Sequence, residues 1–233
     1  PAARAAAPCP HAWMPLSRGA TWTYRTGDGE KITLKVSAVD SRSGFLIATV
    51  DTLAPVPADA KVDPEGDPVL QTTFLCSDDG VDLPFPQALG AGRARIEMLS
   101  EEGPTLPPAT VFKPGVSWTS TRALRVSTPD RVVRTRIEST HTYGGDEKVT
   151  VGAGTFTAAR VDVSSEITSI VDGPRASSSS VAGLLLPTKT LHHLWFVKGV
   201  GLVKMTSEPP AAGSGTALPS TGLELVHVAG TRR

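Results

Sequence analysis

The sequence predicts an all-β protein, an antiparallel meander that forms a strongly curved sheet or half-open barrel with two similar halves. About ten segments are either alternately apolar and polar or apolar throughout, as β-strands are. Turn-forming Gly, Pro and Asp residues separate them at roughly 8–12-residue intervals. No amphipathic helical pattern of useful length interrupts the series. Because hairpin-type connections dominate, a meander is favoured over a Greek key.

Four strands are predicted in the first half of the chain. The clearest is 31–38, where Ile32 and Leu34 alternate with lysine and threonine, as in a strand with one buried and one wet face. The Gly-Asp-Gly-Glu turn before it is a strong hairpin signal. Residues 83–108 show no such pattern and are expected to be irregular. The predicted strands occupy residues 21–26, 31–38, 45–52 and 69–76.

The second half contains a long predicted strand, 131–143, which is expected to end at a Gly-Gly-Asp turn. One face of this strand carries the mild side chains Thr135, Ser139 and His141. They either line a cavity that holds a ligand or water, or face a second sheet and are satisfied there by hydrogen bonds. Further strands are predicted within residues 111–127, 147–151, 155–171, 189–197, 201–207 and 223–230.

The hairpin at 189–207, KTLHHLWFVKGVGLVKMTS, is the most strand-like stretch. Trp195 lies on one face of its first strand and Phe196 on the other, so both faces are expected to be covered. Gly199 and Gly201 supply the turn, because glycine adopts positive φ without steric penalty.

A short internal similarity suggests the domain organisation. Residues 15–24 (PLSRGATWTY) resemble 111–120 (VFKPGVSWTS), with a matching Gly-x-x-Trp-Thr in each. These opening motifs are either a duplication that marks two related lobes or a chance similarity of two turn-to-strand junctions. We expect an N-terminal arm (1–14), one β domain of two related halves (about 15–110 and 111–207), a linker (208–220) and a last strand (221–229) that returns to the sheet.

Composition and motifs exclude several classes of function. The 23 basic and 23 acidic residues cancel and are scattered singly, so no nucleic-acid partner is expected. No apolar run reaches the roughly 18 residues of a transmembrane helix. Neither G-x-S-x-G nor S-x-x-K is present, and the adjacent His192 and His193 face opposite sides of a strand. No catalytic residue, metal site or cofactor is predicted, and a hydrolase is the least favoured alternative.

The two cysteines, Cys9 and Cys76, are interpreted as a disulfide that ties the N-terminal arm to the sheet. Such a bond implies an oxidising compartment. The alternative is two unpaired, buried thiols. The first residues, PAARAAAP, are typical of the end of an export signal or of a flexible linker.

Several motifs taken together resemble a group of exported bacterial envelope proteins, many of them lipoproteins. The resemblance spans roughly 15–228 and implies an exported antiparallel β protein of the periplasm or cell surface, with no catalytic residues carried over. The chain is more loosely similar to LolA/LolB-type carriers, which hold acyl chains in a concave face, but it lacks clear lid helices. The motifs are P-L-x-x-G-x-x-W-x-Y from Pro15, D-G-V at Asp79, G-x-x-W at Gly115, V-x-A-G-T-F from Val151, and W-F-x-x-G-V-G-L-V-K from Trp195.

Two functions from different classes are expected. The first is a non-catalytic, exported envelope protein that binds an apolar ligand such as a lipid, or a protein partner, on a concave β surface. The second is a structural or docking module of a larger surface complex, with its Pro-rich loops and terminal arms as docking elements. The side chains that line either the ligand site or simply the core are Trp22, Trp118, His141, Tyr143, Trp195 and Phe196.

Overall fold

The computed structural model describes residues 11–42, 45–53, 68–82, 95–127, 132–172, 187–208 and 222–231. These residues form twelve strands and no helix. The strands are β1 (Thr21–Thr26), β2 (Lys31–Arg42), β3 (Phe45–Leu53), β4 (Pro68–Ser77), β5 (Gly80–Asp82), β6 (Arg95–Glu102), β7 (Ser117–Ser127), β8 (Val132–Val151), β9 (Gly154–Asp172), β10 (Thr188–Val197), β11 (Gly201–Glu208) and β12 (Leu223–Ala229).

All twelve strands belong to one antiparallel sheet, in the order β5-β4-β3-β2-β1-β12-β11-β10-β9-β8-β7-β6. Strands that follow each other in sequence are neighbours, except β5 and β6, which lie at opposite edges of the sheet. The last strand, β12, lies between β1 and β11. The C-terminal strand therefore joins two meanders, β1–β5 and β6–β11. The predicted all-β meander is confirmed, and strand pairing does not close it into a barrel.

The two ends of the sheet meet at one point. Val81 of the edge strand β5 and Leu106, which follows the other edge strand β6, exchange backbone hydrogen bonds of 2.8 and 2.9 Å. Gly80 permits this approach, because a Cβ there would lie 2.1 Å from the carbonyl oxygen of Leu106. The sheet therefore curls around one of its faces, which we call the inner face. Residues 103–108, which hold the two ends together, are called the closing segment.

The inner face carries one continuous apolar core. It draws side chains from both meanders and from the segment before β1, including Leu16, Val36, Val161, Phe196 and Leu225. Burial of such surface contributes about 25 cal/mol per Å², and it is the main force that keeps the sheet curled.

The expectation of irregular structure at 83–108 is wrong for part of that stretch, because Arg95–Glu102 form strand β6. The strand lies at the edge of the sheet, and a bulge between Met98 and Ser100 shifts its register with β7. Met98 and Leu99 are both exposed, so no inward–outward alternation marks the strand in the sequence.

The turn predicted at Gly144-Gly145-Asp146 is also wrong. Strand β8 continues through these residues, and a bulge between Tyr143 and Gly145 accommodates the extra residue opposite β9. Gly145 has a φ of 120°, which glycine adopts without the penalty that a side chain would bring. The pair of glycines therefore produces a bend within one strand and not a hairpin.

The two opening motifs share their backbone geometry. Gly19 and Gly115 have φ angles of 84° and 81°. The amide of Gly19 donates to Val36 O and that of Gly115 to Tyr143 O, both at 2.8 Å. In each case the partner residue returns a bond to the carbonyl that follows the glycine. The two junctions therefore have the same turn geometry, while the duplication of the motif and the division of the domain into related halves stay predictions.

Candidate functional site

Three of the aromatic candidates lie within the core. Phe196 is fully buried, and Trp22 is buried with its indole nitrogen donating to the carbonyl oxygen of Val200 at 2.6 Å. Tyr143 packs edge-on against Phe112, with ring centroids 4.7 Å apart, and its hydroxyl bonds to Asp146. These places agree with the core interpretation, and a ligand contact by these rings stays a prediction.

Two of the motifs that carried the sequence resemblance contact each other. Trp22 and Tyr24 of the first opening motif donate to the carbonyls of Val200 and Leu202 in the G-V-G-L-V-K turn, at 2.6 and 2.9 Å. The amide of Gly199 in the same turn donates to Ala12 O at 2.7 Å. These motif residues therefore assemble the fold, by fastening the N-terminal segment and β1 to the β10–β11 hairpin.

Trp195 lies on the face of β10 opposite Phe196, so it does not share a surface with the other candidates. Its indole nitrogen donates to Glu147, and the Lys204 ammonium lies 5.5 Å from its ring centroid. The neighbouring His193 bonds to Asp162 at 2.6 Å and to Glu208 at 3.1 Å. Partial burial lowers the pKa of His193, but its hydrogen bonds and the charges of both carboxylates outweigh this and raise the pKa overall.

The remaining two candidates, Trp118 and His141, are brought together on the inner face. Their rings stack with centroids 5.2 Å apart and an interplanar angle of 5°. Ser120 Oγ lies 3.0 Å from His141 Nε2, within hydrogen-bond distance. Burial, together with the positive charge of Arg122, lowers the pKa of His141 to about 4. The imidazole is therefore neutral at neutral pH.

Four hydroxyl side chains lie in a row beside this stack. In the register of the sheet Ser120 faces Ser139, Ser139 faces Ser165, and Ser165 faces Thr190, so the row crosses strands β7 to β10. All four are buried, and they share the inner face with the apolar core. We call these four residues the hydroxyl row.

The sequence predicted that the polar side chains of β8 either line a cavity or bond to a second sheet, and the hydrogen bonds of the hydroxyl row test the second alternative. Ser139 Oγ is 2.8 Å from Ser165 Oγ, and Thr135 Oγ1 is 3.0 Å from Ser169 Oγ. Each of these side chains thus finds its partner on the neighbouring strand of the same sheet, as cross-strand Ser and Thr pairs do. The expectation that a second sheet satisfies them is wrong.

Two polar atoms in this region have no hydrogen-bond partner among the described residues. They are Nδ1 of His141 and Oγ1 of Thr190, both on buried side chains. Leaving such a group unsatisfied costs about 1–3 kcal/mol. The strands that carry them, β8 and β10, are two strand spacings apart, and His141 lies two residues further along the sheet than Thr190, so the Cα atoms of the two residues are about 12 Å apart. A bound ligand or ordered water at the row would satisfy both.

A buried ion pair borders the row on its other side. Arg122 Nε lies 2.5 Å from Glu101 Oε1, and the guanidinium also donates to Thr105 Oγ1 in the closing segment. Burial and the charge of Glu101 raise the pKa of Asp82, against the opposing effect of Arg122. The guanidinium is thus engaged in fastening the closing segment to strands β6 and β7.

Sequence reasoning identified Ser139, His141 and Trp118 but missed Ser120, Ser165 and Thr190. Polar residues on the buried face of a strand were the available signal, and Ser165 shows it between Val163 and Ile167 on one face of β9. The alignment of the four hydroxyls depends on the register between strands, which the sequence does not state.

Cys76 lies in the core on β4, while its predicted partner Cys9 is outside the described residues, so the disulfide stays a prediction. Within the described ranges, no group of three or more His, Cys, Asp or Glu side chains could hold a metal ion. No helix in the same ranges is long and apolar enough to cross a membrane.

No protein-family model and no curated protein matches the chain. Solved structures do share its fold. The crystal structure of a "putative exported protein with YmcC-like fold" from Bacteroides fragilis matches with a TM-score of 0.58 and 16% identity, covering 93% of this chain and 98% of that chain. A "putative lipoprotein" from Parabacteroides distasonis matches with a TM-score of 0.59 and 15% identity, covering 94% and 99%. At these identities the likeness shows the fold alone: the chain has the fold that the first structure names YmcC-like.

Proposed function

We propose that this chain is a non-catalytic, exported protein of the bacterial cell envelope that binds a ligand on the inner face of β7–β10. The observation that carries this proposal is the pair of buried, partnerless polar atoms, His141 Nδ1 and Thr190 Oγ1, at the hydroxyl row. Export is supported by the motif resemblance and by the names of the two similar structures, a "putative exported protein" and a "putative lipoprotein".

The arrangement of Ser120 and His141 favours binding over catalysis. A serine nucleophile needs a base that a third group orients through its other ring nitrogen. In the described part of the chain, that nitrogen of His141 has no partner. A pKa of about 4 also makes this imidazole a weak base at neutral pH.

The position of the ligand follows from what already fills the inner face. Around Trp22 and Phe196 that face is occupied by the protein's own apolar side chains. The polar groups of the hydroxyl row are the part of the face that an additional molecule would satisfy. The proposed site therefore includes Trp118 and His141 of the sequence candidates.

Native mass spectrometry of the protein purified from its own envelope, without harsh detergent, tests this function. We expect a small molecule to remain bound and to dissociate on denaturation. A matched spectrum of the Thr190→Val protein should show less of the adduct, because that variant loses the unpartnered hydroxyl while keeping the side-chain shape. A bare chain in both spectra, together with unchanged NMR signals of β7–β10 on adding envelope extract, would contradict the proposal.

A second candidate function, docking to a protein partner, is favoured by strand β6. It is an edge strand, and its Met98 and Leu99 are 42% and 45% exposed. Edge strands can add a strand from another chain. If docking is the function, the protein should co-purify with one partner in fixed stoichiometry. The double variant Met98→Lys, Leu99→Lys should then abolish that complex without lowering the free energy of unfolding by more than about 0.5 kcal/mol.

A further inference from the structure

We infer that the hydroxyl row binds a neutral, hydroxyl-rich molecule of sugar-like chemistry, about the size of a disaccharide. This inference rests on the proposed binding function and specifies the ligand. It follows from four hydroxyls at strand spacing and from two unpartnered side-chain atoms on the same face, whose residues have Cα atoms about 12 Å apart.

The charges around the row disfavour an anionic ligand. The side chains of the row are uncharged, and the cation that borders it, Arg122, already binds Glu101 and Thr105. Asp82 also lies close enough to Arg122 and Glu101 for their charges to act on its carboxyl group. A carboxylate or phosphate brought to the row would lose its hydration without gaining a free cation.

The unsatisfied hydrogen-bonding capacity disfavours an apolar ligand. A hydroxyl group offers one donor and two acceptor positions, and the Ser139–Ser165 pair uses only part of that capacity. An acyl chain laid along the row would leave Thr190 Oγ1 and His141 Nδ1 without partners. Hydroxyl groups on a ligand can both donate and accept, so they suit the row and either tautomer of the imidazole.

The borders of the row supply the apolar contacts that a sugar ring also needs. On one side lies the Trp118–His141 stack. On the other, Ile137 and Ile167 face each other in the next register position of β8 and β9. Polar groups placed between apolar borders are the usual composition of a small-molecule site.

Because all four hydroxyls are buried, a ligand has to enter through a local opening of the structure. We therefore expect association to be slower than the 10⁵–10⁷ M⁻¹s⁻¹ that is typical when no conformational change is needed.

The test is a titration of the folded protein with three neutral disaccharides, maltose, sucrose and chitobiose. Glucose 6-phosphate serves as an anionic probe and laurate as an apolar one. Binding is followed by NMR through the Thr190 methyl group and the His141 ring. We expect a neutral disaccharide to bind with saturation, and the Thr190→Val variant to bind it about fivefold more weakly, as for loss of one neutral hydrogen bond.

A matched control is Thr23→Val. This change removes a buried hydroxyl on β1 that bonds to Thr33 on β2, away from the row. Its affinity for the disaccharide should equal that of the wild type, and Thr190→Ser should recover most of the lost affinity. Disaccharide binding that is unchanged in Thr190→Val would overturn the inference.

The probes separate the inference from the function on which it rests. Saturable binding of laurate or glucose 6-phosphate at the row, without disaccharide binding, would overturn the sugar-like ligand and leave the binding function standing. If no probe binds and the native mass is that of the bare chain, the row holds ordered water only, and both proposals fail.

Discussion

Strand β10 carries two environments that differ in chemistry although both are buried. Near its end Phe196 is 0% exposed within the apolar core, and near its beginning Thr190 is 8% exposed at the end of the hydroxyl row. Both side chains alternate onto the same inner face. Burial of Phe196 stabilises the fold because it removes carbon surface from water. Burial of the Thr190 hydroxyl without a hydrogen-bond partner destabilises the fold. Burial therefore does not distinguish the core from a site, but hydrogen-bond satisfaction does.

The largest effect is expected at the core end. Phe196→Ala should lower the free energy of unfolding by about 3–5 kcal/mol, because it removes a fully buried ring and leaves a cavity. Urea denaturation measures the change. Phe45→Ala is the control, since that ring is 49% exposed and should change stability by less than about 0.5 kcal/mol. A similar loss of unfolding free energy in the two variants would contradict the assignment of Phe196 to the apolar core.

Acidification should destabilise the fold through His141, which lies beside the hydroxyl row. Burial lowers the pKa of His141 to about 4, so the unfolded chain binds a proton more readily between that pH and the ordinary histidine value near 6.5. Through His141 the fold should thus be about 3 kcal/mol less stable at pH 4 than above pH 6.5. Denaturation at several pH values should show a shallower acid decline in His141→Gln than in the wild type. An identical decline would mean that His141 is not held neutral in the fold.

Two threonine-to-valine variants test whether a hydrogen-bonded and an unpartnered buried hydroxyl differ in their effect on stability. Thr23→Val leaves Thr33 Oγ1 without its 3.0 Å partner and should cost about 1–3 kcal/mol. Thr190→Val removes a hydroxyl that has no partner in the described structure, so it should leave stability unchanged or raise it by up to about 1 kcal/mol. Thermal and urea unfolding of both variants measure the two changes in the free energy of unfolding. Equal destabilisation would show that Thr190 has a bonding partner in solution.

The smallest effect on stability is expected on the opposite face of β10, at His193. Because the pKa of His193 is raised, its ion pairs with Asp162 and Glu208 contribute stability below the ordinary histidine pKa. That contribution is lost as the pH rises through the raised pKa. The pairs lie near the surface, so we expect less than about 1 kcal/mol, reduced further by salt. Asp162→Asn should weaken this alkaline decline, and a decline of unchanged size would exclude the pair as its cause.

Local signals in the sequence were sufficient for the fold class. Alternation at Ile32 and Leu34, and the glycine turns at 27–30 and 152–154, predicted hairpins that the structure contains. The same kind of reasoning failed at β6, whose exposed edge position removes the alternation, and at Gly144-Gly145, where a bulge replaced a turn. Glycine pairs permit both conformations, and only the pairing of the flanking residues decides between them.

The antiparallel β meander follows from sequence signals alone, because side-chain alternation and turn residues act over a few neighbours. Only tertiary contacts show that β12 lies between β1 and β11, and that Val81 meets Leu106. They also show that Ser120, Ser139, Ser165 and Thr190 stand in one row. Cross-strand register depends on bulges and on contacts between residues far apart in the chain, and a shift of one residue would turn each of these hydroxyls to the opposite face.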